Sequence, residues 1–160
     1  MARSRTRSAP AREGARLTVD ASVFVNAFNP HEAGHAASLG LLQHAHDEDV
    51  PVIVPSLLLV EVASAIARVT GASEAARHYA ESIAALPHVM VVAVTAALAR
   101  DAAAIAAGYR LRGADALYVA VARRYATALV TRDEEQRRRA AAVVPCITPD
   151  AALRTARSGR

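Results

Sequence analysis

Four carboxylates stand in apolar stretches of the sequence and are candidates for metal binding or catalysis: Asp20, Glu61, Asp115 and Asp133. Asp20 and Asp133 come directly after short runs of β-prone residues. Glu61 and Asp115 lie in helix-like segments that are apolar on almost every side. Burying a carboxylate without a partner is costly, so a bound cation would explain acids in such surroundings.

A ligand set made only of oxygen atoms suits a hard cation, Mg²⁺ or Mn²⁺, better than zinc. Such ions activate water for attack on a phosphodiester and stabilise the leaving oxygen. Each acid also has an ordinary alternative. Asp20 and Asp133 can be helix N-caps, Glu61 can face solvent, and a helix dipole can stabilise Asp115. Their combination, at two strand ends and on two apolar helices, favours a shared metal site.

Short apolar strands alternate with helices along the chain. Strands are predicted at residues 17–19, 52–54, 88–92, 128–130 and 143–144, and helices after residue 20 and over 32–46, 56–69, 72–86, 95–107, 114–125 and 133–142. This alternation predicts an α/β fold with a parallel sheet covered by helices on both faces. Ligands of such sheets bind beyond the carboxyl ends of the strands, where Asp20 and Asp133 are expected to lie.

Length and composition fit one domain with an aliphatic core. Hydrophobic residues make up 53% of the 160 residues, but aromatic residues only 4%. The single cysteine, Cys146, excludes an internal disulfide and is interpreted as a small buried hydrophobe. The most apolar stretch, residues 50–69, is interrupted by two prolines and two charged residues, so no membrane span is predicted. We therefore expect a soluble cytoplasmic protein.

The net charge of +4 is concentrated at the two ends of the chain. Residues 1–16 contain five arginines and one glutamate, residues 151–160 contain three arginines, and the segment between them has 11 arginines against 14 acids. The predicted organisation is a disordered Arg-rich tail over 1–16, one domain over 17–150, and a basic tail over 151–160 that is also expected to be disordered. The tails either add sequence-independent affinity for nucleic acid or are solvated segments without a role.

Four segments, taken together, resemble the PIN-domain nucleases, and within that group the VapC-type toxin ribonucleases of toxin–antitoxin pairs. They are Val19-Asp20-Ala21-Ser22, Pro55-Ser56 leading to Glu61-Val62, Gly113-Ala114-Asp115-Ala116-Leu117, and Val130-Thr131-Arg132-Asp133. The resemblance covers residues 17 to 148 and depends on the order and spacing of the four segments. It implies a PIN-like three-layer α/β/α fold with a central parallel sheet of about five strands.

The resemblance also implies metal-dependent hydrolysis of RNA phosphodiester bonds with one or two Mg²⁺ or Mn²⁺ ions. The four acids would be the catalytic residues and would hold the metal directly or through water. Ser22 and Thr131 would support them by orienting ligands or water, with a local bond to the backbone as the alternative. Arg110 and Arg112 could hold the RNA backbone, with simple surface exposure as the alternative. Whether one of the two glutamates after Asp133 joins the site stays open.

The partners that the resemblance implies are a second copy of the chain and an antitoxin protein that covers the active site. Two other functions are carried as alternatives. Residues 31–35, His-Glu-Ala-Gly-His, match the HExxH pattern of zinc metallopeptidases, although Pro30 precedes the pattern and Gly34 interrupts it. The second alternative is a non-catalytic RNA-binding module. Four acids close together argue against it, because their repulsion lowers stability when no cation is bound.

Overall fold

Five parallel strands form one sheet at the centre of the protein, which a computed structural model describes over residues 16–158. In chain order they are β1 (Leu17–Val19), β2 (Val52–Pro55), β3 (Val89–Val92), β4 (Ala128–Val130) and β5 (Cys146–Ile147). Their order across the sheet is β3-β2-β1-β4-β5, and all pairings are parallel. The strand order therefore switches direction between β1 and β4, and parallel sheets bind ligands in the crevice at that point.

Helices cover both faces of this sheet, which confirms the predicted three-layer α/β/α fold. Within residues 16–158 they are α1 (Ala21–Phe28), α2 (His35–Asp47), α3 (Leu57–Thr70), α4 (Ser73–Ala84), α5 (Ala96–Tyr109), α6 (Gly113–Tyr125), α7 (Glu134–Ala140) and α8 (Pro149–Ser158). α6 packs on β1, β2 and β4, and α5 packs on α6, whereas α1 pairs with α2 and α3 with α4. None of these helices is long and apolar enough to cross a membrane.

Local signals in the sequence account for several of the helix ends. The Thr95 side chain accepts the Leu98 N–H at 3.2 Å and begins α5, as predicted. Gly71 ends α3 with a φ of +71°, a left-handed conformation that glycine adopts without a steric penalty. Ser56 occupies the N-cap position of α3, in line with the helix start predicted at residue 56, but its side chain makes no capping bond. Its backbone is already helical, and its hydroxyl accepts the Val94 N–H at 3.3 Å instead.

The last strand and the second helix begin later than predicted. The strand expected at 143–144 lies at Cys146–Ile147, because residues 143 and 144 close a turn onto the carbonyl of Ala140. Pro145 has no N–H to donate, but its carbonyl accepts the Leu129 N–H at 2.8 Å and so begins the pairing with β4. The helix expected from residue 32 begins at His35, after Gly34 with a φ of +81°.

The two expected tails have different outcomes. The Arg-rich tail over 1–16 lies outside the described residues, apart from Arg16. The expectation of a disordered tail over 151–160 is wrong for residues up to 158, which belong to α8. Pro149 occupies the first position of this helix and Thr148 accepts the Ala151 N–H at 3.2 Å, which are both favourable at a helix start. The helix packs on α2, with Leu153 buried against Gly40.

Candidate active site

Asp20 stands between β1 and α1 at the carboxyl end of the sheet. It is the N-cap of α1, and its Oδ2 accepts the Ser22 N–H at 2.9 Å. Its Oδ1 accepts a longer bond of 3.3 Å from the side-chain amide of Gln136. The residue is only 7% exposed, and this burial raises the pKa of its carboxyl, although both hydrogen bonds oppose the shift. The N-cap role expected as the ordinary alternative is thus present, but it occupies only one oxygen of a buried acid.

Glu61 lies in the second turn of α3 and is half-buried. Its Oε2 accepts a hydrogen bond of 2.7 Å from the hydroxyl of Tyr118, a fully buried residue of α6. Burial raises the pKa of Glu61, the Tyr118 bond opposes this shift, and the charges of Asp20 and Asp115 add to it. Glu61 is therefore not a fully solvent-facing residue of an amphipathic helix, because it is half-buried and bonds to a buried tyrosine.

Arg112 joins the other two acids. It precedes α6, and its Nε donates to Oδ2 of Asp115 in the first turn of that helix at 2.8 Å. Its Nη2 donates to Oδ2 of Asp133, the N-cap of α7. Burial raises the pKa of Asp115, although Arg112 opposes the shift. Burial also acts to raise the pKa of Asp133, but the Gln136 N–H and Arg112 outweigh it and hold that pKa below its ordinary value.

The four acids form one electrostatic cluster. The charge of Asp133 raises the pKa of Asp20, and the charges of Asp20 and Asp133 raise that of Asp115. As the side chains are arranged, however, no three His, Cys, Asp or Glu residues of the described chain stand close enough together to hold an ion. The donor set nevertheless fits a hard divalent cation. It offers only oxygen, three of its members have raised pKa values, and the single guanidinium of Arg112 balances only part of the charge.

Ser22 and Thr131 lie beside the first and last acids and bind protein groups. The Ser22 hydroxyl accepts the Arg132 N–H at 3.2 Å, which links the loop after β1 to the loop after β4. Thr131 accepts the Asp133 N–H at 3.1 Å and donates to Oε1 of Gln136. Because Thr131 engages the amide oxygen, the amide nitrogen of Gln136 faces Asp20. The local backbone bond expected as the alternative is present at Thr131, whereas the Ser22 bond joins distant parts of the chain; Thr131 also contacts Asp20 indirectly, through Gln136.

Sequence reasoning missed two residues of this site, Tyr118 and Gln136, which are both fully buried. A signal existed for each. Gln136 stands three residues after Asp133, which is the spacing of a helix capping box. Tyr118 is the one residue with a polar side-chain group in the buried stretch of α6 that follows Asp115, and a buried tyrosine hydroxyl usually has a partner. Neither signal names the acid that each residue contacts, because those contacts join distant parts of the chain.

The remaining charged residues near the acids are exposed. The Arg112 side chain is 66% exposed. Arg110 is also exposed, and its carbonyl accepts a bond from Arg139. Glu135 forms an ion pair with Arg139 at 2.5 Å, and Glu134 is exposed at the start of α7.

The HExxH pattern does not form a zinc site. Residues 31–34 are turns rather than a helix, so His31 and His35 are not one helical turn apart on a common face. Glu32 accepts a bond of 2.9 Å from Asn26 and pairs with Arg132 at 3.5 Å, while His35 Nδ1 lies 3.0 Å from the carbonyl of Asn26. These residues hold the α1–α2 turn together.

An apolar cavity of about 310 Å³ lies elsewhere, between α1, α2 and α4. Phe24, Leu42, Tyr79 and Ile83 contribute to its wall, as do His46 and His88. None of the four acids lines this cavity, so it is separate from the carboxylate cluster.

Comparison with known proteins gives the following similarities. The family model of the PIN domain matches residues 17–142. VapC20 from Mycobacterium tuberculosis, described as a sarcin–ricin loop cleaving toxin, has 22% identity and a TM-score of 0.66 over 76% of this chain and 93% of that one. VapBC2 from Rickettsia felis, bound to a DNA fragment from its promoter, has 12% identity and a TM-score of 0.63 over 82% and 97%. A toxin–antitoxin complex from Klebsiella pneumoniae has 17% identity and a TM-score of 0.59 over 83% and 97%. These structures share the fold, and no curated protein matches the chain in sequence.

Proposed function

Because the chain belongs to the PIN-domain family, we propose that it is a metal-dependent endoribonuclease that hydrolyses RNA phosphodiester bonds. The observation that carries the proposal is the convergence of Asp20, Glu61, Asp115 and Asp133. They come from four separate elements, and the charges of the acids shift one another's pKa values at the switch point of the sheet. If no cation bound here, the repulsion between these carboxylates would only lower the stability of the protein.

Asp20, Glu61, Asp115 and Asp133 would hold Mg²⁺ or Mn²⁺ directly or through water. When bound, such an ion supplies an activated water and stabilises the leaving oxygen of the phosphodiester. The chain prepares these acids with neutral donors. The Ser22 N–H and the Gln136 amide each bind one oxygen of Asp20, and Tyr118 binds one oxygen of Glu61. These bonds favour the charged carboxylates, which is the form that a cation requires.

RNA is the proposed substrate, and Arg110 and Arg112 are its proposed phosphate contacts. Both residues are exposed and lie just before Asp115 in the chain, and the guanidinium group suits bidentate contact with phosphate. The similarity to a toxin described as cleaving the sarcin–ricin loop supports RNA rather than DNA. Contacts of this kind position the backbone and add a salt-dependent affinity that does not depend on base sequence.

We further propose that the protein is the toxin of a type II toxin–antitoxin system. The support is its similarity in fold to a toxin–antitoxin complex, which implies an antitoxin protein as partner.

A homodimer is proposed as well. Val60, Met90 and Val94 are large apolar side chains with exposures of 64%, 42% and 38%, and the Ser56–Val94 bond brings the start of α3 next to the end of β3. Exposed apolar surface of this kind favours a protein interface. Light scattering of the purified chain would measure its oligomeric state.

The test of the nuclease is cleavage of a mixed RNA pool by the purified protein in Mn²⁺, in EDTA, and after Asp20→Asn. Asparagine also caps helices well, so the variant keeps the start of α1 while losing the charge. Asp101→Asn is the matched control, because Asp101 is an exposed acid of α5. Cutting that requires both Mn²⁺ and Asp20, and is unchanged in the control, supports the proposal. Cutting that persists in EDTA or in Asp20→Asn overturns it.

A further inference from the structure

We propose that Tyr118 is a positioning residue that fixes one oxygen of Glu61 so that the other remains available to the metal ion. The inference rests on the proposed function and deepens it. It adds a residue on α6 that does not ligate the ion but acts through a residue on α3.

The geometry that supports this role is a single short contact between two helices. The Tyr118 hydroxyl lies 2.7 Å from Oε2 of Glu61. A carboxylate can only accept a hydrogen bond, so the phenol must donate. Within residues 16–158 this is the only hydrogen bond to the Glu61 side chain, which leaves Oε1 without a protein donor. Glutamate has three rotatable side-chain bonds, and this contact restricts their rotation.

The position of Tyr118 on α6 relates it to a second acid. It stands three residues after Asp115, and residues at this spacing lie on the same face of a helix. α6 therefore presents to the cluster one proposed ligand, Asp115, and the donor that holds another, Glu61. Because α6 packs on β1, β2 and β4, contacts in the core fix its position. The Tyr118 hydroxyl that bonds to Glu61 is therefore held in place as well.

A structural role alone would require only some acceptor for a buried hydroxyl. Tyr79 shows how this protein meets that requirement away from the site. Its part-buried hydroxyl donates to the backbone carbonyl of Phe24 at 3.2 Å, and Tyr79 lines the apolar cavity to which none of the four acids contributes. Tyr118 is fully buried and bonds instead to a carboxylate of the charged cluster. The two tyrosines thus provide a test residue and a matched control.

The experiment measures Mn²⁺ affinity by isothermal titration calorimetry on the full chain. Tyr118→Phe keeps the ring and removes only the hydroxyl, and we expect the Kd for Mn²⁺ to weaken by about tenfold, as is typical when a group that orients a ligand is lost. Tyr79→Phe removes an equivalent hydroxyl and is expected to leave the Kd unchanged. A second variant, Tyr118→Met, fills the site with a flexible apolar side chain and is expected to weaken binding to a similar extent.

A double-mutant cycle separates positioning from general damage to the fold. If Tyr118 acts through Glu61, then Tyr118→Phe has no further effect on Mn²⁺ affinity in a Glu61→Gln background. Equal affinity of wild type and Tyr118→Phe overturns the inference while leaving the nuclease proposal intact. The inference is also overturned if Tyr118→Phe weakens Mn²⁺ binding by the same factor in the Glu61→Gln background as in wild type. If the wild-type protein itself binds no Mn²⁺, the proposed function fails and this inference fails with it.

Discussion

Replacing Arg112 by glutamine is expected to destabilise the metal-free protein and to tighten its binding of Mn²⁺. The guanidinium donates to Asp115 at 2.8 Å and also to Asp133, and the side chain is 66% exposed. Exposed ion pairs contribute about 0.2–1 kcal/mol each, so two of them together stabilise the metal-free protein by about 1 kcal/mol. For a chain of this length, losing that free energy lowers the Tm by roughly 3 °C.

The same free energy determines the expected change in metal affinity. A divalent ion that binds Asp115 and Asp133 takes the oxygens that Arg112 now contacts, so the wild-type protein loses those ion pairs on binding. The Arg112→Gln variant has no such pairs to lose. Its Mn²⁺ binding is therefore more favourable by about 1 kcal/mol, which corresponds to a Kd that is roughly fivefold lower.

Calorimetric titration with Mn²⁺ and thermal melts with and without the ion measure both quantities. Arg77→Gln is the matched control, because Arg77 forms an exposed ion pair with Glu81 at 2.7 Å on α4. The control should lose a little stability and keep the wild-type Kd. Weaker Mn²⁺ binding by Arg112→Gln would contradict this prediction, since Arg112 would then be arranging the acids for the ion rather than competing with it.

Three further outcomes are expected. Asp20→Asn should fold with a metal-free Tm at or above that of wild type, because the substitution removes a buried charge. It should also lower RNA cleavage by more than about 100-fold, which exceeds the loss typical of residues that only orient metal ligands. The pKa values of Asp20, Glu61 and Asp115 are raised, so protonation of these acids stabilises the folded state. This stabilisation is complete below the ordinary carboxyl pKa near pH 4, and it is lost as the pH rises through the pKa values of the folded state. The Tm of metal-free wild type should therefore fall more steeply between pH 4 and pH 8 than the Tm of Asp20→Asn. Parallel dependences of the two Tm values on pH would contradict this cause. Leu153→Ala should lower stability by about 2 kcal/mol without changing Mn²⁺ affinity, because it removes a buried contact of α8 with α2; urea titration measures the first and calorimetry the second.

The sheet and the positions of the four acids could be predicted because their signals are local. The apolar runs before Asp20 and Asp133 identify two adjacent strands, and both acids are also helix N-caps, which the sequence itself indicates. The apolar surroundings of Asp115 indicate a helix in the core, and α6 has a continuous buried run from Tyr118 to Ala122. Family membership followed from the order of the four segments, and the family match confirms it.

What could not be predicted depends on contacts between distant residues. The Tyr118–Glu61 bond and the Gln136–Asp20 bond join residues that no periodicity relates. The bridge from Arg112 to Asp133 exists only because the starts of α6 and α7 meet at one edge of the sheet. The final strand lies later than predicted because Pro145, which has no N–H to donate, begins the pairing through its carbonyl. The helix α8 was missed because its apolar residues were outnumbered by polar and charged ones in a short segment.

If the carboxylate cluster is a divalent metal site, anomalous scattering from crystals of the protein soaked in Mn²⁺ will locate the ion there. We expect an anomalous peak among the carboxyl oxygens of Asp20, Glu61, Asp115 and Asp133, with the Arg112 guanidinium moved away from Asp115. Asp20→Asn crystals soaked in the same way should lose the peak. A fully occupied peak elsewhere, with the cluster empty and Arg112 still bridging its two acids, would contradict the account.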